Sequence, residues 1–274
     1  MKRNLVSLVV IALVMASGAA HATLEWTAYN DCVHGGSPAN ATIYSAYMGD
    51  GGGFETPSGL LKNFATGGST SVTATLTGSN ISGSISGAPA AGTPAHNIFN
   101  GKVNLGDWSV SYNSSSFDWY YQATFTGLDP TRNYEFATTA NRNGSSYSGS
   151  GSASRWTKFS IIGADSYTNT SSGGVTPVTP DVLKMNTGYN VTGDVIQWTG
   201  ITAADGSFTV KSQNVGSLGP GEARKSYGME GFRLAEYSSQ PYAESPSVPE
   251  PASLCLLGLA CAGIGTALKR RKKT

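Results

Sequence analysis

Four residues near the C-terminus, Val248-Pro249-Glu250-Pro251, carry the clearest chemical use in this 274-residue chain. Two prolines flank one carboxylate, and neither can propagate a helix, so the segment is extended and open to a processing enzyme. Catalytic chemistry of the chain's own is harder to find. Cys32-Val33-His34 and His96 supply three soft ligands, but no second cluster stands at metal-ligand spacing, and no metal is assigned. G-x-S-x-G, H-E-x-x-H and P-loop patterns are absent. Asp50, Asp165 and Asp205 sit in turn-like sequence where a hard cation would find carboxylate and carbonyl oxygens. The same residues serve ordinary Asx turns, so a structural calcium is considered but not assigned, and no cofactor is expected. A glycosidase needs only two carboxylates roughly 5 to 9.5 Å apart, which folding alone could bring together.

Binding chemistry is the alternative. Exposed aromatic faces stack on sugar rings while amides and acids reach the hydroxyls. Trp108, Tyr120 and Trp156 are the candidates for that role, although large aromatics belong equally well in a core. The polar stretch from Asn141 to Tyr147 is a rim loop or a solvated turn. Cys32, the one cysteine outside the apolar tail, is expected to be buried and inert, or paired with another chain.

The two ends must place this material. Met1-Lys2-Arg3, an apolar run from Leu5 to Ala16 and Ala20-His21-Ala22 form a signal peptide over 1–22, with signal peptidase cutting between Ala22 and Thr23. At the other end an apolar run covers 252–268, which as a helix reaches roughly 25 Å, close to a membrane core of about 30 Å. Lys269, Arg270, Arg271, Lys272 and Lys273 follow it and hold that end on the cytoplasmic side. Between the two ends, eleven Lys and Arg face sixteen Asp and Glu, a net charge of −5 that contrasts with +1 for the whole chain. Nucleic acid is not an expected partner of so acidic a body.

The order Val-Pro-Glu-Pro, apolar helix, basic cluster over 248–273 resembles the PEP-CTERM sorting signal of Gram-negative bacteria. That resemblance implies recognition by an exosortase, a membrane-embedded cysteine transpeptidase that cuts near Pro249-Glu250-Pro251. The precursor would be anchored in the inner membrane through its C-terminal helix, then passed to the cell surface or extracellular matrix. Association with exopolysaccharide and biofilm is implied as well. In this role the chain is a substrate, and the motif catalyses nothing.

The part from 23 to 237 reads as all-β. Strands are expected at 42–47, 71–77, 81–86, 117–126, 134–140, 155–162, 195–199, 207–212 and 231–237, with 88–94 as a loop and no amphipathic helix. In 117–126, Phe117, Trp119, Tyr121, Ala123 and Phe125 line one face, and Asp118, Tyr120, Gln122 and Thr124 the other. Thr126 to Phe136 resembles the corner of fibronectin type III and related sandwiches, with Leu128 packed beneath Tyr134 and Pro130 fixing the turn. A tyrosine corner bonds its phenol back to the backbone a few residues upstream. Trp198 to Val210 weakly echoes it as a second corner, and the last strand finishes as galactose-binding-like jelly rolls do. The expected fold is a single β-sandwich, followed by a spacer at 238–247 that is too polar to fold. Three readings stay open for this body: a non-catalytic glycan-binding module, a structural adhesion or matrix component, and a secreted carbohydrate-active enzyme.

Overall fold

The computed structural model describes residues 22–32, 36–47, 57–112, 118–148, 154–216 and 225–238. Most of the signal segment, the Asp50 turn, Phe117, nearly all of the spacer and the whole sorting tail lie outside the described residues. The described part is all-β with one short α-helix and one 3-10 turn at Ser145–Tyr147. Its first strands are β1 (Leu24–Asp31), β2 (Ser58–Lys62), β3 (Ser69–Ser79) and β4 (Ile81–Ile85), followed by α1 (Pro94–Phe99). Next come β5 (Trp108–Tyr112), β6 (Tyr120–Thr126), β7 (Asn133–Thr139), β8 (Trp156–Ile162) and β9 (Ser166–Asn169). The last are β10 (Thr176–Thr179), β11 (Val182–Asn186), β12 (Ile196–Thr202), β13 (Ser207–Asn214) and β14 (Gly231–Tyr237).

The strands form three sheets, and every strand pair is antiparallel. Five strands run in the order β1-β14-β7-β12-β9, seven in the order β10-β11-β8-β13-β6-β3-β2, and β4 and β5 pair separately. Alternation makes the seven-stranded sheet two-faced. In β6, Tyr121, Ala123 and Phe125 are buried while Tyr120, Gln122 and Thr124 are half-buried, and β8, β11 and β13 repeat the pattern. The buried faces of the two large sheets meet at Phe125. Its ring lies 5.0 Å from Phe208 within its own sheet, and 5.8 Å and 5.1 Å from Phe136 and Phe232 of the other sheet. Burying rings of this size is the main stabilising term, at about 25 cal/mol per Å² of apolar surface. A second cluster, with Tyr29, Phe99, Val103 and Val195, lies beyond the five-stranded sheet, where α1 helps to cover it.

Most consecutive strands alternate between the two large sheets, and two of these crossings meet at one corner. From β6 to β7 the chain passes Gly127 at φ +76, where a Cβ would lie 2.6 Å from the Ser71 carbonyl oxygen, so no larger residue fits without a backbone shift. The Tyr134 hydroxyl accepts from the Asp129 N–H at 2.7 Å and donates to Glu236 Oε2 at 2.8 Å. Leu128 is buried and Pro130 exposed at the turn. The β12–β13 crossing touches this corner, because the Leu128 N–H donates to the Gly206 carbonyl at 3.1 Å.

Several expectations need correction. The 42–47 segment is not a strand. Thr42 makes one parallel bridge to Asn30, after which the Asn30 amide takes over the backbone groups of Tyr44, accepting from its N–H at 2.9 Å and donating to its carbonyl at 3.0 Å. That side chain does locally what a partner strand would do. The expected loop at 88–94 runs into the Thr93 cap of α1, with Pro94 in the first helical turn. β1, β2, β5, β9, β10 and β11 are strands that the pattern analysis does not anticipate.

Candidate functional site

The outer face of the seven-stranded sheet carries two of the three aromatic candidates. Tyr120 opens β6 and Trp156 opens β8, both half-buried and on the side away from the core. Register places Tyr120 opposite Gln213, Gln213 opposite Lys158, and Lys158 opposite Lys184. The adjoining row runs Gln122, Lys211, Ser160, Val182. Trp156 stands two residues along β8 from Lys158, roughly 12 Å from Tyr120 between Cα atoms by strand spacing and rise. The Lys211 ammonium rests over the Tyr120 ring, 4.5 Å from its centroid. The indole N–H of Trp156 is buried with no hydrogen-bond partner, so what this side chain presents to solvent is apolar ring.

The remaining candidates are placed elsewhere. Trp108 lies on β5 of the two-stranded sheet and packs against the main core, so it does not join Tyr120 and Trp156. The 141–147 stretch is less of a rim than its composition indicates. Asn141 is buried, its N–H donates to Glu230 Oε1 at 2.7 Å, and its Oδ1 accepts from Asn143 and Asn190 N–H groups at 2.9 Å. Asp165 and Asp205 both serve turns, accepting from the backbone N–H of Ala204 and Ser207. Among the described residues no group of three or more His, Cys, Asp or Glu side chains is arranged to hold a metal.

The lysines and glutamines of this face are what the sequence reading missed. Alternation alone turns Lys158, Lys184 and Lys211 outward, but their adjacency depends on the strand order β11-β8-β13, which no local pattern contains.

A buried polar cluster lies at the β1–β14 end. Cys32 is fully buried, Asn30 Nδ2 donates to its sulfur at 3.6 Å, and the Tyr121 hydroxyl donates to its carbonyl at 2.7 Å. Burial pushes the thiol well above its ordinary range, which makes it a poor nucleophile. Glu230 is buried beside it with one oxygen bonded to Asn141 and the other unpartnered. Three surface clefts of about 290 to 350 Å³ are lined by residues such as His96 and Asn104, Lys62 and Tyr44, or Arg142 and Tyr147, and by no carboxylate.

A family model described as the PEP-CTERM protein-sorting motif matches residues 247–272. No curated protein and no solved structure matches the chain. The motif directs export and exosortase-dependent sorting, with a precursor anchored at its C-terminal end, and makes an exosortase a partner. Among the described residues no helix is long and apolar enough to cross a membrane. Intact mass of the protein recovered from its host is expected to lack the basic cluster, and Glu250→Ala is expected to retain it. Retention of the full tail in both would rule out processing at Val248-Pro249-Glu250-Pro251.

Proposed function

We propose that the chain is a non-catalytic β-sandwich protein, of jelly-roll or fibronectin-III-like type, that works at the cell surface or in the extracellular matrix of a Gram-negative bacterium. It associates there with exopolysaccharide and biofilm, and it binds glycan on the outer face of the seven-stranded sheet. After signal peptidase removes residues 1–22, the C-terminal helix holds the precursor in the membrane until the exosortase acts.

The observation that carries this reading is the row Tyr120, Gln213, Lys158, Lys184, flanked by Trp156 and Gln122, on a two-faced sheet. A flat surface of aromatic rings, amides and hydroxyls suits a long polymer better than a small substrate, which needs a concave pocket. The sandwich type is supported by the two facing sheets and by the Tyr134 corner that ties β6 to β7.

The test incubates the full chain, in a neutral detergent, with a panel of neutral and acidic polysaccharides. Bound protein and newly released reducing ends are measured together. Binding to at least one polymer with no release is the expected result. Release of reducing ends would make the chain an enzyme. Absence of both would leave the structural adhesion or matrix role.

A further inference from the structure

Charge is divided unequally between the two large sheets. The strands of the seven-stranded sheet contain four lysines, Lys62, Lys158, Lys184 and Lys211, and not one Asp or Glu. The five-stranded sheet holds Glu25, Asp31, Glu135 and Glu236 against a single Arg233. In a body of net charge −5, the strands of this one sheet carry no acid. Asp118, Asp181 and Asp205 stand just outside the strands, within two residues of the starts of β6, β11 and β13.

Three of the four lysines are also neighbours. Lys158 and Lys184 lie directly opposite each other, and Lys211 lies diagonal to Lys158, because its direct partner is Ser160. Like charges directly opposite on antiparallel strands destabilise a sheet, and diagonal partners lie within about 7–8 Å. The fold tolerates this crowding on a face where Ser, Thr or Gln at any of these positions would remove it. Lys62 is remote from the group and donates to the Ala39 carbonyl at 3.1 Å.

We infer that this lysine group selects an acidic polysaccharide, a polymer of carboxylated sugars lying across β11, β8, β13 and β6. The inference rests on the reading of this face as the glycan-binding surface, and it names the class of glycan. Lys158 stands about 4.8 Å from Lys184 across neighbouring strands and about 7–8 Å from Lys211 on the diagonal, so carboxylates along a flexible chain can each meet an ammonium group. Gln213 stands beside Lys158 and Lys211, Gln122 lies beyond Lys211 on β6, both offer amides to hydroxyls, and Tyr120 offers a ring beside the Lys211 ammonium. Lysine suits this task, since it acts as a mobile point charge and makes no fixed fork on a phosphate. A duplex nucleic acid fits less well, because its charge density would meet three cations here and a net-negative body around them. Field lines from a cationic patch also steer an anionic polymer away from the acidic faces of the protein.

Affinity electrophoresis of the full chain in neutral detergent tests this against polygalacturonate, alginate, neutral dextran and duplex DNA. Retardation by both polyuronates and not by dextran is expected, weakening about tenfold between ~50 and ~200 mM salt as the charges are screened. The triple variant Lys158→Gln, Lys184→Gln, Lys211→Gln should lose about tenfold or more in affinity, and the corresponding triple change to Arg should restore it. Each variant's circular dichroism is compared with the parent, and the Arg triple controls for the substitutions themselves. Equal retardation by dextran and polyuronate, unchanged in the Gln triple, would overturn the charge selection and leave glycan binding standing. No retardation by any polysaccharide would remove both. Stronger retardation by DNA than by polyuronate would overturn the polysaccharide as the occupant.

Discussion

Phe125→Ala is expected to lower the free energy of unfolding by about 3–5 kcal/mol, a large part of the roughly 5–15 kcal/mol that holds a typical domain together. The ring is buried and touches Phe208 beside it and Phe136 and Phe232 across the interface between the two large sheets. Its strand is laddered on both sides, with Phe125 opposite Ala74 of β3 and Phe208 of β13. Neither neighbour can slide in to fill the vacated space without breaking a hydrogen-bonded register, so the cavity stays open and its full penalty is felt. Phe125→Leu keeps most of the volume and should recover more than half of the loss. Denaturant unfolding followed by the fluorescence of buried Trp119 and Trp198 measures both. A loss below about 1 kcal/mol for alanine would mean that the sheets are joined elsewhere.

The parts of this fold that are readable in the sequence are those whose causes are local. Alternation in 119–126 is visible because one side of β6 meets the core and the other meets solvent. The Tyr134 corner is visible because all its parts except Glu236 lie within a few residues of one another. The tail is visible because apolar length and the order of charges need no folded context. β1 is not visible, since both its faces become covered. Ala28 enters the main core and Tyr29 the second cluster, which erases the alternation, and Asn30 and Asp31 then resemble loop residues. The 42–47 segment misleads in the other direction, because its β-branched residues promise a strand and the Asn30 amide satisfies its backbone instead.

The candidate site divides along the same line. Tyr120 and Trp156 follow from the pattern of their own strands. The lysine group does not, because β8, β11 and β13 are adjacent only through connections that pass by way of β9, β10 and β12. Trp108 stands apart from the other two for a related reason: the β4–β5 pair is a separate sheet, and nothing near residue 108 marks the change.

Glu230→Gln is expected to change how stability depends on pH. Burial raises the pKa of this carboxyl well above its ordinary 4.5, the Asn141 N–H opposes that rise, and the charge of Asp31 adds to it. A carboxyl raised in this way supports the fold fully below its unfolded pKa and withdraws that support as pH climbs through the folded one. From about pH 4.5 upward the native protein should therefore lose about 1.4 kcal/mol per pH unit at this one group, until its folded pKa is passed. Cys32 and Tyr121, which the same burial pushes up from 9.0 and 10.0, stay neutral through pH 8 and do not blur the window. Glutamine keeps an oxygen for the Asn141 N–H but buries an amide where Oε2 has no partner, a fixed penalty of about 1–3 kcal/mol. The variant should therefore start at or below the parent in acid and gain on it steadily as pH rises. Guanidinium unfolding of both proteins from pH 4.5 to 8 reads the difference directly, and a difference that stays flat across that range would show that Glu230 ionises in the fold as it does in the unfolded chain.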